Sequence, residues 1–112
     1  MLNPKATLEI YKNSDDTITV HGVYFGNKAS KFIQVRNRFD EIVKHMLLHH
    51  DLTCYSGRLI HEYLNLWTYT VQLHNLSTKE SSDDIIAWYQ EIAQKAFYTP
   101  EQYLTEHDIL VG

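Results

Sequence analysis

The stretch that decides the fold is TLEIYKNSDDTITVHGVYF, residues 7–25. Its first part, residues 7–12, alternates apolar and polar side chains, and period-two alternation is typical of a half-buried β-strand. Residues 13–16 are Asn-Ser-Asp-Asp, turn formers whose side chains hydrogen-bond the nearby backbone. Residues 17–25 are rich in β-branched and aromatic residues. The stretch therefore predicts an antiparallel β-hairpin.

Gly22 interrupts the second strand of this hairpin. A glycine inside a strand often marks a β-bulge, where one extra residue shifts the alternation. We expect such a bulge to change the inward set from Ile18 and Val20 to Val23 and Phe25.

The next segment has two interpretations. Residues 31–36 resemble a third strand, followed by a helix over residues 38–50 that Asn37 caps with its side-chain oxygen. The alternative is one long helix capped by Ser30, since apolar residues recur at spacings of 3, 4, 3 and 4. These residues are Phe32, Val35, Phe39, Ile42 and Met46. The cap at Asn37 favours strand and then helix.

The third quarter of the chain predicts one clear strand. Residues 51–57 contain turn formers and read as a connection. Residues 58–66 fit helical spacing and strand alternation equally well, so both remain open. Residues 68–74 alternate as a strand does, and residues 76–82 are polar and predict a loop.

A second amphipathic helix is predicted after Ser81. Ser81 followed by Asp84 resembles a capping box, and Glu91 and Lys95 form an exposed i, i+4 pair. The apolar residues expected on the buried face are Ile85, Trp88, Tyr89, Ile92, Ala93 and Ala96. Pro100 then predicts a short helix to about residue 107.

These elements define an α+β class, in which an N-terminal antiparallel hairpin or meander packs against amphipathic helices. Residues 1–112 are expected to form a single compact domain, because this length is typical of one domain and no linker-like segment interrupts it. Cys54 is the only cysteine, which excludes an internal disulfide and a cysteine-based zinc site. No apolar run approaches the length of a signal peptide core or a membrane span. We therefore expect a cytoplasmic protein with no membrane contact.

Charge is distributed unevenly along the chain. Residues 28–58 hold six of the ten basic side chains against three acids, whereas residues 59–112 hold two lysines against eight acids. A cationic segment thus lies inside a protein of net charge −4, and electric fields act locally. The residues expected to bind a partner are Lys28, Lys31, Arg36, Arg38 and Lys44.

Two interpretations of this segment compete. Lysine and arginine side chains on one surface suit a phosphate backbone, because each contact releases condensed counterions, and Tyr24 or Phe25 would add base stacking. Alternatively, acids of the C-terminal half neutralise Arg36 and Arg38 internally. The acids expected to do so are Asp83, Asp84 and Glu91.

Histidines provide the remaining chemical signal. His45 and His49 are spaced i, i+4 and would project from one side of a helix, a spacing that can place two imidazoles on one metal. No glutamate of an HExxH pattern lies between them. His50 falls in line with the apolar face and is expected at the edge of the core or at the helix C-terminus. Cys54 is expected to be a small buried residue in a loop.

Catalytic motifs with phosphate-binding glycine loops or nucleophile elbows do not occur in the sequence. We therefore nominate no catalytic residue and expect no cofactor. The favoured hypothesis is a small intracellular regulatory protein or binding module that has no enzymatic activity and contacts another macromolecule, either protein or nucleic acid. One alternative is a nucleic-acid binder, RNA included, that uses residues 28–44. A second alternative is a histidine- or metal-dependent enzyme using His45 and His49.

Overall fold

Four antiparallel strands form the sheet on which the molecule is built, in the spatial order β1-β2-β4-β3. This arrangement comes from a computed structural model, which describes residues 5–98. In chain order the elements are β1 (Ala6–Lys12), β2 (Ile18–Phe25), α1 (Ala29–His49), β3 (Leu52–Tyr63), β4 (Leu66–Asn75) and α2 (Ser82–Ala96). The α+β class, with a hairpin followed by a helix, is confirmed.

The predicted N-terminal hairpin is present as β1 and β2, which pair from Ala6 opposite Tyr24 to Lys12 opposite Ile18. Its turn is held by side chains, as expected from its composition. Asp15 Oδ1 accepts a hydrogen bond from the Thr17 hydroxyl at 2.5 Å. These bonds to Thr17 lower the pKa of the exposed Asp15 carboxyl.

The expected bulge at Gly22 is wrong. Pairing is continuous on both sides of β2, and Gly22 lies opposite Leu8 in β1 and Tyr69 in β4. The inward set therefore continues through Gly22 to Tyr24, while Val23 and Phe25 lie on the other face. Glycine has a different role here, because a Cβ at residue 22 would lie 2.5 Å from the ring of Phe39. The helix α1 thus approaches the sheet at a point where no side chain fits.

The predicted strand at residues 31–36 and helix start at Arg38 are also wrong. One helix, α1, runs from Ala29 to His49. Asn37 is an exposed residue within that helix, and neither Asn37 nor Ser30 caps it; the N-cap residue is Lys28, with no side-chain cap hydrogen bond. The apolar spacing decides the structure, since it places six side chains on one buried face. They are Phe32, Val35, Phe39, Ile42, Val43 and Met46.

The connection predicted at residues 51–57 is a strand instead, because β3 begins at Leu52 and continues to Tyr63. Residues 58–66, left open between helix and strand, therefore belong to β3, to the two-residue connection and to the start of β4. Register shifts between Cys54 and Ser56 and between Ser56 and Leu59 break the alternation of β3. The strand predicted at residues 68–74 is confirmed within β4.

Helix α2 starts as predicted, with the Ser81 hydroxyl accepting from the backbone N–H of Asp84 at 3.1 Å. Its exposed pair also forms, with Lys95 Nζ 3.5 Å from Glu91 Oε1. Trp88 was expected inside but is 49% exposed. It lies at the margin of the buried face, against His50 at the end of α1. The short helix predicted over residues 100–107 lies outside the described residues.

Both helices pack on one face of the sheet, where the core is continuous. Phe39 of α1 is fully buried and its ring centroid lies 5.2 Å from that of Tyr69 in β4 and 4.9 Å from that of Phe97 after α2. Phe32 stacks on Trp67 at 4.5 Å. Aromatic bulk therefore joins α1, the sheet and the end of α2.

Candidate binding surface

Three of the five basic residues predicted to bind a partner surround one cavity. Lys28, Lys31 and Arg38 line a pocket of about 540 Å³ between the end of β2 and the first three turns of α1. Residues 31 and 38 are seven positions apart, which is close to two full turns of a helix. Because α1 is one continuous helix, their side chains lie on the same flank. We call this site the cationic pocket. Its lining residues are Lys5, Tyr24, Phe25, Gly26, Asn27, Lys28, Lys31, Gln34, Val35 and Arg38.

Among residues 5–98, the lining of the cationic pocket has four basic side chains and no acidic one. Lys5, Lys28, Lys31 and Arg38 are all exposed residues, so their charges face solvent. A concave surface lined by charges of one sign focuses the field and attracts counterions of the opposite sign. The pocket therefore suits an anionic group.

Lys5 is the functional candidate that sequence reasoning missed. Pairing between β1 and β2 places Lys5 at the pocket, because the Phe25 N–H donates to the Lys5 carbonyl at 2.9 Å and Ala6 lies opposite Tyr24. The pairing register of the hairpin predicts this position, since it places the residue before β1 beside the end of β2. Lys5 is far from residues 28–44 in the sequence, so the clustering of basic residues along the chain does not indicate it.

The first turn of α1 adds to the positive potential. It contains no acidic residue, and its cap, Lys28, supplies no side-chain acceptor. Within residues 5–98 the N–H groups of Ala29 and Ser30 have no hydrogen-bond acceptor. Unpaired N–H groups at a helix N-terminus carry partial positive charge, so helix and side chains act in the same direction.

Arg36 and Lys44 do not join this pocket. Arg36 lies on the other flank of α1, where its Nη2 donates to Asn37 Oδ1 at 3.2 Å and its Nε is buried with no partner among residues 5–98. Lys44 is exposed on the side of the helix that faces away from the core. The five predicted residues therefore do not form one surface. Around a helix, Arg36 and Lys44 point in other directions than Lys31 and Arg38, whereas the expected strand at residues 31–36 would have oriented these side chains differently.

The acids expected to neutralise Arg36 and Arg38 lie elsewhere. Asp83 is 3.4 Å from Lys12, and Glu91 contacts Lys95. Arg38 instead lies over the ring of Phe97, 5.5 Å from its centroid, which is a cation–π distance. Internal compensation by the C-terminal acids therefore does not occur in the described part of the chain.

Another cation of the basic segment is compensated within its own neighbourhood. Arg58 Nη1 donates to Asp40 Oδ2 at 2.5 Å, and the buried Tyr69 hydroxyl donates to Asp40 Oδ1 at 2.6 Å. Burial, and then the Asp40 carboxylate, raise the pKa of Tyr69 well above its ordinary value. This network fixes β3 and β4 against α1 and does not involve the cationic pocket.

A second cavity provides the contrast. It measures about 300 Å³ near the start of α2 and is lined by charges of both signs, among them Lys12, Lys79, Glu80 and Asp83. Since Lys12 already contacts Asp83, this cavity has no single sign to attract a charged ligand.

His45, His49 and His50 form a packing cluster between α1 and α2. His45 Nδ1 is 2.7 Å from the Tyr89 hydroxyl, and the rings of His45 and His49 are stacked 4.0 Å apart. His50 is buried at the helix end, as expected, with Nδ1 2.6 Å from Glu80 Oε1. Burial is the main cause that raises the pKa of Tyr89. Stacked rings do not direct their nitrogens toward a common point, so this geometry suits packing.

Metal ligation and thiol chemistry find little support in the described geometry. Residues 5–98 contain no group of three or more His, Cys, Asp or Glu side chains arranged around one point. Cys54 is an exposed residue of β3, and not the buried loop residue expected. Its partly covered sulfur has a pKa above the ordinary thiol value, which disfavours the reactive thiolate.

No family model, curated protein or solved structure matches this chain. Within residues 5–98 both helices are too short or too polar to cross a membrane.

Proposed function

We propose that this chain is a small regulatory or binding protein without enzymatic activity, which contacts an anionic macromolecule through the cationic pocket. The observation that carries the proposal is the pocket itself, where Lys5 beside β1 and Lys28, Lys31 and Arg38 of α1 and its N-cap converge, with no acid among the lining residues that the structure describes. Four such side chains, if uncompensated, repel one another. An anionic partner relieves that repulsion.

The lining supports binding over catalysis. It offers lysine, arginine, amide and aromatic groups, and its described part, drawn from residues 5–98, includes no histidine, cysteine, serine or carboxylate. General acid–base catalysis depends on a positioned group that titrates near the working pH. The pocket instead combines donors and rings, the usual components of a recognition site.

A second candidate makes the partner a nucleic acid, RNA included. It is favoured by Tyr24 and Phe25, whose side chains line the same cavity as the lysines. Single-stranded nucleic acids are bound by combining basic side chains along the backbone with rings that stack on bases. Tyr24 is largely buried whereas Phe25 is partly exposed, so Phe25 is the ring more accessible to a base.

The test reverses two charges of the pocket, Lys28→Glu with Lys31→Glu. Both side chains are exposed, and acids in the first turn of a helix are favourable to its dipole. The double variant should therefore keep or gain stability while it loses the partner. The matched control, Lys44→Glu with Lys79→Glu, changes the net charge equally at exposed positions outside the pocket.

Partner capture from native lysate is the measurement, with and without nuclease treatment. Capture that the pocket variant loses and the control retains supports the proposal, and its sensitivity to nuclease assigns the partner to nucleic acid. A direct titration with a single-stranded RNA oligonucleotide should then show affinity falling as salt rises. Equal capture by both variants contradicts the assignment of the pocket as the contact surface.

A further inference from the structure

The outer edge of β3 is a second surface, besides the cationic pocket, at which this molecule could bind a partner. Strand β3 is the last of the sheet, and no strand within residues 5–98 pairs with its outer side. The opposite edge differs, because Tyr98 forms a bridge with Thr7 of β1. A free edge presents unpaired N–H and C=O groups to any other strand.

The backbone groups that point outward follow from the hairpin. Tyr63 and Leu66 flank the two-residue connection between β3 and β4, so they form the hydrogen-bonded pair that closes it. Hydrogen-bonded and non-hydrogen-bonded pairs alternate along an antiparallel ladder. Ile60 and Glu62 therefore direct their backbone groups away from β4, toward the free edge.

This part of the edge contains neither a bulge nor a lysine or proline, and Glu62 is its one charged residue. The bulges lie upstream, between Cys54 and Leu59, and residues 59–63 pair regularly with β4. The sequence of that segment, Leu-Ile-His-Glu-Tyr, contains no lysine or proline, the residues that commonly block edges. Leu59 and Tyr63 of this segment are open to solvent, 56% and 74% exposed, whereas Ile60 packs against the core.

We propose that two copies of this chain pair through β3, antiparallel, about a two-fold axis at Ile60. In this register Arg58 of each copy, which is next to the regularly paired Leu59, lies close to Glu62 of the other copy, so two pairs of opposite charge form. Arg58 has Asp40 as its only acceptor among residues 5–98, and Glu62 has no ionic partner there. Directly opposed charges of unlike sign stabilise a strand pair.

The register shift between Ser56 and Leu59 limits the regular contact to residues 59–63 of each copy. The proposed contact is short, so we expect a weak dimer whose population depends on protein concentration.

Sedimentation velocity over a wide concentration range is the first test. The wild-type protein should pass from monomer to dimer, and Glu62→Lys should shift that transition to higher concentration by placing like charges opposite each other twice. The control, Glu9→Lys, makes the same change on exposed β1 and should behave as the wild type. A wild-type protein that stays monomeric throughout, or equal effects of both variants, would overturn the proposal.

Cross-linking tests the register separately. In a Cys54→Ser background, Ile60→Cys should form an intermolecular disulfide under mild oxidation, because the axis places the two Cα atoms about 5.5 Å apart. Leu64→Cys should not, since it would lie about 26 Å from its counterpart. A disulfide at residue 64 without one at residue 60 overturns the register, and so does a dimer that forms neither.

Discussion

Replacing Gly22 by alanine tests how closely α1 approaches the sheet. The added Cβ would lie 2.5, 2.7 and 2.8 Å from three carbons of the Phe39 ring, whereas carbon atoms pack best at about 3.5–4.0 Å. The ring must therefore retreat by about 1 Å. It has little room, because Phe39 is fully buried between Tyr69 and Phe97.

The expected cost follows from two opposing effects. Overpacking of a core typically destabilises by about 1–3 kcal/mol. Alanine also restricts the unfolded chain, which returns about 0.4–1 kcal/mol. Gly22→Ala should therefore lower the free energy of unfolding by about 1–2 kcal/mol.

A double-mutant cycle separates this clash from other effects. Phe39→Leu alone should also destabilise, by loss of buried ring contacts, but Gly22→Ala with Phe39→Leu should cost less than the sum by about 1 kcal/mol, because the methyl group occupies vacated space. Guanidinium unfolding followed by tryptophan fluorescence measures each free energy. Gly57→Ala is the control, since that position is open, and it should be neutral or slightly stabilising.

Either of two results would refute this reasoning. A Gly22→Ala protein as stable as the wild type would show that α1 moves away freely. Additive effects in the cycle would show that residues 22 and 39 do not contact each other.

Three further predictions concern single side chains. Leu64 has φ 54°, a left-handed conformation that costs a bulky residue about 1–2 kcal/mol. Leu64→Gly should therefore raise the free energy of unfolding by about 0.5–1 kcal/mol. If denaturant unfolding shows no increase in stability, the backbone at Leu64 is not strained. The pKa of Tyr69 is raised in the folded state, so Tyr69 keeps its proton to higher pH there than in the unfolded chain. Its contribution to the free energy of unfolding is therefore complete below the ordinary tyrosine pKa of about 10 and is lost as the pH rises further. Tyr69→Phe should accordingly flatten the fall in stability above pH ~10 and cost about 1–2 kcal/mol at neutral pH through loss of the bond to Asp40; an unchanged alkaline slope in pH-dependent unfolding would refute this. Ser81→Ala removes the acceptor for Asp84 N–H and should cost about 1 kcal/mol, and a Ser81→Asp protein, which keeps an acceptor, should retain most of the stability in thermal unfolding.

Elements with one consistent local signal were predictable from the sequence. The N-terminal hairpin combined alternation with a turn of Asn, Ser and Asp residues, and α2 combined a cap at Ser81 with a clear apolar face. Helix α1 was misjudged because Asn37 is a good cap residue. A cap contributes about 1 kcal/mol, whereas six buried side chains on one face contribute several times that.

Strand β3 was predicted only in part, since residues 52–57 were expected to form a connection and residues 58–63 fitted helix and strand equally well. It is an edge strand with two bulges and mostly exposed side chains, so burial does not impose alternation on it. Its pairing with β4 relies on backbone hydrogen bonds, which leave little mark on side-chain type. The same limit applies to Lys5, whose place at the cationic pocket depends on strand register.

The strand order has a consequence for how the chain folds. Strands β1 and β2, and β3 and β4, are neighbours in sequence, and hairpins of this kind form within microseconds. The central pairing of β2 with β4 joins residues far apart in the chain, such as Ile18 with Leu73, and closing that loop must precede the contacts that reward it. The seam between β2 and β4 should therefore set the folding rate, and substitutions there should slow folding, whereas those in the outer strands should mainly speed unfolding.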